Sequence, residues 1–308
     1  MAKISFVCPI YNKEKYLPNV INSIRNQRGS FEKEYIFIND GSDDGSLEIL
    51  NKKTSNWKNV IILNQLNKGP AIATQSGISI AKGDFVKLVG GDDIMAPYCT
   101  ELLLDTITKT KSVAVFSSYE LKDNYRNIVY EKKKIRNLRI IKHPLIQTIK
   151  SSFSGTTPNL YCNKSIGKSG GCEKKIFIED FSLALGLSKY GSFAFIDNIT
   201  SFGPKNDKNR IMIGKKNQLI HDYNAALYYF LKKNPDINKY FFKIACIKSL
   251  GRAEKWYRRV AKKNKLNKMN LYKLQVYLGR NDYLNLIRKS CHFFYRNDED
   301  NTIRYRVS

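Results

Sequence analysis

Over its first hundred residues the chain alternates short apolar runs with stretches of helical periodicity, and two of those runs end in acid. Ile4–Ile10, Tyr35–Ile38, Val60–Leu63 and Phe85–Val89 read as strands. Glu14–Gln27 reads as a helix with Pro18 in its first turns, where proline is tolerated. A second helix opens at Ser46 with that residue as its N-cap, and a third, Ala71–Ala81, is closed by Gly83. Strand–helix alternation with short links means βαβ units and a parallel sheet. Such a sheet delivers whatever follows its strands to one edge, and ligands bind in the crevice outside those carboxyl ends. The acidic clusters, Asn39-Asp40-Gly41-Ser42 and Gly90-Gly91-Asp92-Asp93, fall at that edge.

Further along, helix Cys99–Thr108 and strand Ser112–Ser117 precede a basic, polar stretch, Tyr119–Arg139, expected as hairpin and loop. Strand-like Asn159–Cys162 and Ile176–Ile178 flank the Gly/Ser-rich Ser165–Gly171, and Glu179-Asp180 heads the helical stretch Phe181–Leu187. From about residue 215 the pattern is helical. Leu219, Ile220, Tyr223, Ala226, Leu227, Phe230 and Leu231 share one face before Asn234-Pro235 ends it, and short helices follow around Trp256 and Leu271–Leu278.

Composition narrows the function classes. An apolar fraction of 42% excludes wholesale disorder, and no apolar run approaches the ~20 residues that span a bilayer. Six scattered cysteines without a C-x-x-C pair suggest neither zinc nor a disulfide framework, and the three histidines have no ligand spacing. Met1-Ala2-Lys3 leads straight into an apolar strand without a cleavage region, so a cytoplasmic protein is expected. The net charge of +26 is uneven: residues 205–308 hold 25 Lys/Arg against 8 Asp/Glu, and residues 1–204 hold 28 against 19. That excess points to an anionic partner for the C-terminal third, whether membrane surface, phosphorylated acceptor or nucleic acid.

Each acidic cluster has an ordinary reading as a turn or a helix cap. A calcium loop starting at Asp40 is excluded, because Asn51 stands where a bidentate Glu is needed. At a strand end, a carboxylate such as Asp40 can instead accept hydrogen bonds from a nucleobase edge or ribose. Asp92 and Asp93 can ligate Mg²⁺ or Mn²⁺, whose octahedron diphosphate oxygens complete. A carboxylate of the Glu179-Asp180 pair can act as a general base.

The ordered set resembles the inverting family 2 glycosyltransferases with the GT-A fold, over roughly residues 3–205. The matching pieces are Ser5-Phe6-Val7-Cys8-Pro9-Ile10-Tyr11-Asn12, Ile38-Asn39-Asp40-Gly41-Ser42, Asn67-Lys68-Gly69, the run from Gly77 to Phe85, the metal-motif region and Glu179-Asp180. The resemblance implies an α/β, Rossmann-like, mostly parallel sheet flanked by helices, with a basic C-terminal helical subdomain. It divides the chain into a glycosyltransferase domain, 1–210, and the helical subdomain, 211–308. Within the first, a nucleotide-binding half would cover about 1–98 and an acceptor half about 99–210.

By the same resemblance Pro9 and Tyr11 flank the nucleobase, Asp40 contacts uracil or ribose, Asp92 and Asp93 bind the metal, and Asp180 deprotonates the acceptor. Asp92 matches the last Asp of the family's D-x-D motif and is counted with the nucleotide site. The chain departs from the pattern at Gly90, which replaces the first Asp, at Asn39, and at Thr74-Gln75, which replace an Arg-Asn pair. No histidine lies in Ser201–Arg210, so Arg210 or a nearby lysine is the candidate cation for the diphosphate.

The implied activity is transfer from a UDP-sugar to a surface glycan or lipid-linked oligosaccharide, as in lipopolysaccharide or capsule assembly, with Mn²⁺ or Mg²⁺ as cofactor. An enzyme of this kind is expected in the cytoplasm, peripherally on the inner face of the membrane through its basic region. Two other classes compete, a basic nucleic-acid-binding protein and a nucleotidyltransferase of similar layout. Nucleic acid is not an expected partner, because no C₂H₂, RNP-like or KH pattern supports one.

Overall fold

The computed structural model describes residues 1–123, 128–130, 134–153, 155–205, 216–261, 268–279, 282–296 and 303–307. In chain order the elements are β1 (Lys3–Ile10), α1 (Leu17–Arg25), β2 (Glu32–Asp40), α2 (Ser46–Thr54), β3 (Val60–Gln65), α3 (Pro70–Ile80) and β4 (Phe85–Leu88). Then come β5 (Ile94–Met95), α4 (Cys99–Thr110), β6 (Ala114–Lys122), β7 (Arg139–Ile141), α5 (Leu145–Lys150), β8 (Asn159–Cys162), α6 (Asn163–Ser169), α7 (Glu179–Leu187) and β9 (Phe193–Pro204). Four helices complete the chain: α8 (Lys216–Lys233), α9 (Lys239–Ala261), α10 (Lys268–Tyr277) and α11 (Tyr283–Arg296).

Two compact units result. One comprises Met1–Pro144, Phe153–Cys172 and Gly186–Asp207; the other comprises Leu145–Ser152, Glu173–Leu185 and Lys208–Ser308. The helical unit thus draws in 145–152 and 173–185 besides the C-terminal third.

The first unit is built on a sheet ordered β3-β2-β1-β4-β8-β6-β9-β5, with β7 paired to β9. The expected parallel strands are all present: β1 lies parallel between β2 and β4, and β2 lies parallel to β3. Beyond β4 the sheet is mixed, since β8 runs antiparallel to both β4 and β6 while β6 and β9 run parallel. The chain leaves β1 for β2 and β3 on one side, then returns to lay β4 on the other. That reversal of strand order makes a switch point at the end of β1. Ile4, Phe6, Cys8 and Ile10 of β1 bury against Leu17, Val20, Ile21 and Ile24 of α1, which explains why neither element shows a polar face inward.

Local chemistry moves several boundaries. Gly45 is the N-cap of α2, and the Ser46 hydroxyl, expected to cap it, accepts the Lys13 N–H at 2.8 Å instead; Asp44 Oδ1 takes the Ser46 N–H at 3.0 Å. The Gly/Ser-rich Ser165–Gly171 is mostly helix α6, because the Asn163 amide docks its start by donating to the Ala81 and Gly83 carbonyls. Ile176–Ile178 is buried but is not part of a strand, and the Phe177 N–H goes to Asp222 Oδ2 at 2.6 Å. Tyr119 extends β6 rather than opening a loop, and Trp256 lies inside the 23-residue α9.

In the helical unit, α8 buries Ala226, Leu227 and Leu231 against Leu250 and Trp256 of α9 and Leu286, Ile287 and Phe294 of α11. Asp222 of α8 also accepts from Gln218 Nε2 and pairs with the buried His221 ring, whose other nitrogen meets the Tyr295 hydroxyl at 2.7 Å. His221 is therefore a satisfied core histidine. No described helix is long and apolar enough to cross a membrane. All six cysteines are free thiols. The run Lys262-Lys263-Asn264-Lys265 lies outside the described residues.

Helix α3 approaches the sheet closely enough to require glycine. A Cβ on Gly77 would lie 2.5 Å from Val7 Cγ1 and 2.6 Å from Ile38 Cδ1, whereas one on Gly167 in α6 would meet nothing within 4 Å. Gly77→Ala is therefore expected to destabilise the protein by about 1–3 kcal/mol through overpacking. Gly167→Ala is expected to stabilise it by up to about 1 kcal/mol through helix propensity. Urea titrations of both variants check the opposite signs.

Candidate active site

The carboxyl ends of β1, β2 and β4 bring Pro9, Tyr11, Asp40, Asp92 and Asp93 to one edge of the first unit. Pro9 pairs with Ile38 in the β1–β2 register, and its carbonyl would lie 3.1 Å from a Cβ on Gly91. The backbone of the second acidic cluster therefore runs against the end of β1. A side chain at that position would be crowded by Pro9 and by Lys13.

Asp40 is buried at the end of β2. Its Oδ1 accepts the Lys68 N–H at 2.9 Å and Gln65 Nε2 at 2.7 Å, and its Oδ2 accepts the Gly69 N–H at 2.9 Å. These donors precede Pro70, so the carboxylate sits at the positive end of α3 and fixes the turn leading into it. Gly41 follows with φ +73°, and its Cα packs so close to Asn67 that a Cβ would lie 2.7 Å from that residue's nitrogen. Asn39 bonds Asn64 across the β2–β3 pair. Asp43 and Asp44 are spent lacing this loop to the one after β1: Asn12 Nδ2 donates to Asp43 at 2.6 Å, and the Glu14 N–H to Asp44 at 3.0 Å.

The second cluster separates into two unlike carboxylates. Asp93 is buried and receives hydroxyls on both oxygens, from Tyr119 at 2.8 Å and from Thr157. Thr157 in turn accepts the Gly90 N–H at 2.9 Å, and its carbonyl accepts from the fully buried Lys87 ammonium. Burial pushes the Lys87 pKa down. A Cβ at Gly90 would lie 2.6 Å from Asp93 Oδ2, so the space beside that oxygen is already taken.

Asp92 keeps more exposure and holds an ion pair with Lys13 Nζ at 2.6 Å. Lys13 itself is only 5% exposed, an uncommon position for an ammonium without a partner. Burial, then Asp93 and Asp92, pushes the Cys8 thiol well above its usual range and removes it as a nucleophile.

Among the described residues no three His, Cys, Asp or Glu side chains are grouped to hold a metal ion. Asp92 alone would offer a Mg²⁺-like ion a carboxylate here, and the remaining ligands would have to come from outside the protein. Asp93, committed to two hydroxyls, is the poorer ligand of the pair. Thr74 and Gln75 offer no cation: Thr74 is buried in α3, and Gln75 Oε1 accepts the Cys172 N–H at 2.7 Å. Arg210 lies outside the described residues.

Asp180 belongs to the helical unit, in the first turn of α7. Burial, then the adjoining Glu179 carboxylate, pushes its pKa up to about 7. The Phe181 N–H bonds its Oδ1 at 2.7 Å, and the Phe181 ring packs edge-on against Tyr223 with centroids 4.9 Å apart. Lys13, Tyr119 and Thr157 escape the sequence reading. Lys13 follows Tyr11-Asn12 and could have been noticed for that, whereas Tyr119 and Thr157 lie 26 and 64 residues from Asp93 and leave no local signal.

Residues 5–166 match the model of the family described as Glycosyl transferase family 2. A glycosyltransferase of Haemophilus influenzae is 34% identical over 147 residues, covering 46% of this chain and 58% of that protein. The hyaluronan synthase of Pasteurella multocida is 26% identical over 230 residues, 70% of this chain and 22% of the synthase. The chain thus spans only part of these relatives. The crystal structure of S. aureus TarS 1-349 in complex with UDP-GlcNAc superposes with a TM-score of 0.66 at 17% identity, covering 97% of this chain and 89% of that one. That likeness concerns the fold, which is the expected GT-A architecture with a helical C-terminal region. With more than half its length matching the family model, this chain belongs to glycosyl transferase family 2.

Proposed function

We propose that the protein is an inverting glycosyltransferase that moves a sugar from a UDP-sugar to a hydroxyl of a surface glycan or lipid-linked oligosaccharide. The observation that carries this reading is Asp92, partly exposed at the switch-point edge and paired with the buried Lys13, in a chain of this family. The TarS structure with UDP-GlcNAc supports a UDP-sugar donor by likeness of fold. Family membership favours sugar transfer over nucleotidyl transfer or nucleic-acid binding.

Pro9 and Tyr11 would flank the base in this reading. Asp40 would act on the nucleoside chiefly by fixing the 65–69 turn, and Asp92 would hold Mn²⁺ or Mg²⁺. Such an ion, when bound, neutralises the departing diphosphate as a Lewis acid. Lys13 would contribute its ammonium to the same anion. Asp180, as carboxylate, would take the acceptor hydroxyl's proton while that oxygen bonds the anomeric carbon from the face opposite the diphosphate. The anomeric C–O bond breaks, UDP departs with the electron pair, and the centre inverts.

The membrane side of the proposal draws on charge and on α10. Leu271, Leu274 and Tyr277 of α10, and Leu278 just after it, are each more than half exposed, while Met269 and Val276 of the helix are buried. A helix apolar on opposite faces, within a segment holding 25 Lys/Arg against 8 Asp/Glu, suits the surface of an anionic bilayer. Leu274→Ser should reduce pelleting with phosphatidylglycerol vesicles and leave the melting temperature unchanged. Undiminished pelleting removes α10 from this role.

UDP-GlcNAc with Mn²⁺ should raise the melting temperature of the native protein, since a ligand of the folded form stabilises it by mass action. The Mn²⁺-dependent part of that rise should vanish in Asp92→Asn. An equal rise in both proteins defeats the metal assignment. For Asp180, only the carboxylate accepts a proton, so transfer should climb as pH rises through about 7. Asp180→Asn should lower the transfer rate by about 10²–10⁴-fold and abolish that climb. Stability runs the other way. A carboxyl whose folded pKa is raised stabilises fully below its unfolded value, about 4, and loses that contribution as pH approaches 7. Relative to the native protein, Asp180→Asn should therefore gain stability between pH 5 and pH 8.

A further inference from the structure

Around Tyr223, a ring that also feels the Asp180 charge, the helical unit assembles positive charge that its own acids leave unneutralised. Lys248, Arg252 and Lys255 recur at intervals of four and three on α9, which places them on one stripe of the helix. Lys150 ends α5, a helix packed on α9. Arg252 is held rather than free. Its guanidinium lies 5.1 Å from the Tyr223 ring centroid, and its Nη1 donates to the Tyr223 carbonyl at 3.5 Å and to Asn224 Oδ1 at 3.4 Å.

Tyr223 joins this cation to the base. Its ring packs on Phe181, the residue after Asp180; its hydroxyl bonds Ser152, two residues past Lys150; and the charges of Asp180 and Arg252 both act on it. Among the described residues no carboxylate makes an ion pair with Lys150, Lys248, Arg252 or Lys255. Glu254, the acid nearest along α9, is engaged by Arg258 and Lys273. The crowding has an electrostatic signature: burial, then Arg252, Lys255 and Lys150, pushes the Lys248 pKa down, and burial pushes Arg252 to about 10.

Three ammonium groups gathered with a half-buried guanidinium repel one another and lose hydration, and an anion is the partner that relieves both. Arg252 is the residue type suited to bidentate contact with phosphate or carboxylate, and its Nη1 bonds to the Tyr223 carbonyl and Asn224 Oδ1 hold it in place beside the Tyr223 ring.

We infer that Lys150, Lys248, Arg252 and Lys255 form an acceptor subsite that binds a phosphate or carboxylate group of the glycan whose hydroxyl Asp180 deprotonates. The link to that hydroxyl rests on the transferase reading above; the anion site does not. A neutral acceptor would make no use of the stripe. An acceptor with phosphodiester or uronate units would be held by its charge beside the base.

The test uses the full-length protein, with sn-glycerol 3-phosphate and methyl glucuronoside as probes and methyl glucoside as the neutral control, followed by calorimetry and thermal shift. Both anions should bind, the glucoside should not, and saturating UDP should leave the binding in place. Lys248→Gln/Lys255→Gln alters two solvent-accessible side chains and should weaken the anions at least about fivefold, a change of about 1 kcal/mol. Arg252→Lys, which keeps the charge but not the fork, should weaken them as well. Absence of binding, unchanged affinity in the double variant, or full displacement by UDP overturns the subsite.

Vesicle pelleting separates a glycan anion from a lipid headgroup. The double variant should still pellet with phosphatidylglycerol, and loss of pelleting together with unchanged glycerol phosphate affinity overturns the proposal. Hydrolysis of UDP-GlcNAc is assayed in parallel. Lys248/Lys255-dependent anion binding in a protein without that activity leaves the subsite standing and defeats the transferase reading alone.

Discussion

The site edge depends on a single buried carboxylate. Asp40 gathers the N–H groups of Lys68 and Gly69 and the Gln65 amide, and so ties the end of β2 to the turn that launches α3. That turn must be tight, since Pro70 begins the helix and Gly69 precedes it with φ +89°. Hydrogen bonds to an ionised acceptor are roughly twice as strong as neutral ones, and those made out of solvent define geometry as well as energy. Once β2 and α3 are joined in this way, the crevice beyond β1 has a fixed wall. The loop after β1 is then laced to the loop after β2 through Asn12, Glu14, Asp43 and Asp44.

Environment gives the carboxylates different chemistry. Asp93 is tied by Tyr119 and Thr157 and works as a node between β4, β6 and the segment before β8. Its neighbour Asp92 faces an ammonium and retains exposure, so it is the one able to exchange its partner for a ligand. Asp180, beside Glu179 at the start of α7, is pushed toward neutrality, as the proposed general base would need. Adjacent positions in the sequence thus carry opposite tasks. Hydrogen-bond donors supplied from distant strands decide which residue takes which.

Much of this was legible in the sequence because it follows from local periodicity. The four parallel strands and the acidic residues at their ends need only a two-residue alternation, short links and the rule that ligands gather at the carboxyl edge. The antiparallel insertion of β8 between β4 and β6 could not be read in that way, since pairing partners 75 residues apart leave no periodic trace. Ser46 shows the same limit on a smaller scale. It fits the usual cap pattern, but its hydroxyl accepts the Lys13 N–H, Gly45 stands at the N-cap, and Asp44 accepts the Ser46 N–H. The Gly/Ser-rich stretch at 165–171 folds as helix because Asn163 anchors its first turn, overriding weak propensity.

The charge excess of the C-terminal third acquires meaning only in three dimensions. Counted along the sequence, 25 basic residues against 8 acidic ones are compatible with a biased composition, a membrane or a polyanion. In the fold the bases divide. Arg258 and Lys273 are consumed by Glu254, and Lys233 by Glu173, whereas Lys150, Lys248, Arg252 and Lys255 are left together around Tyr223. Random enrichment would scatter unpaired cations over the solvent-facing surface, where repulsion is screened within about 10 Å. Grouping them around a partly buried aromatic ring, with one guanidinium half-buried, works against stability. A fold keeps such an arrangement more readily when an anion spends part of its time there, and the same charges then hold that anion next to the carboxylate at the head of α7.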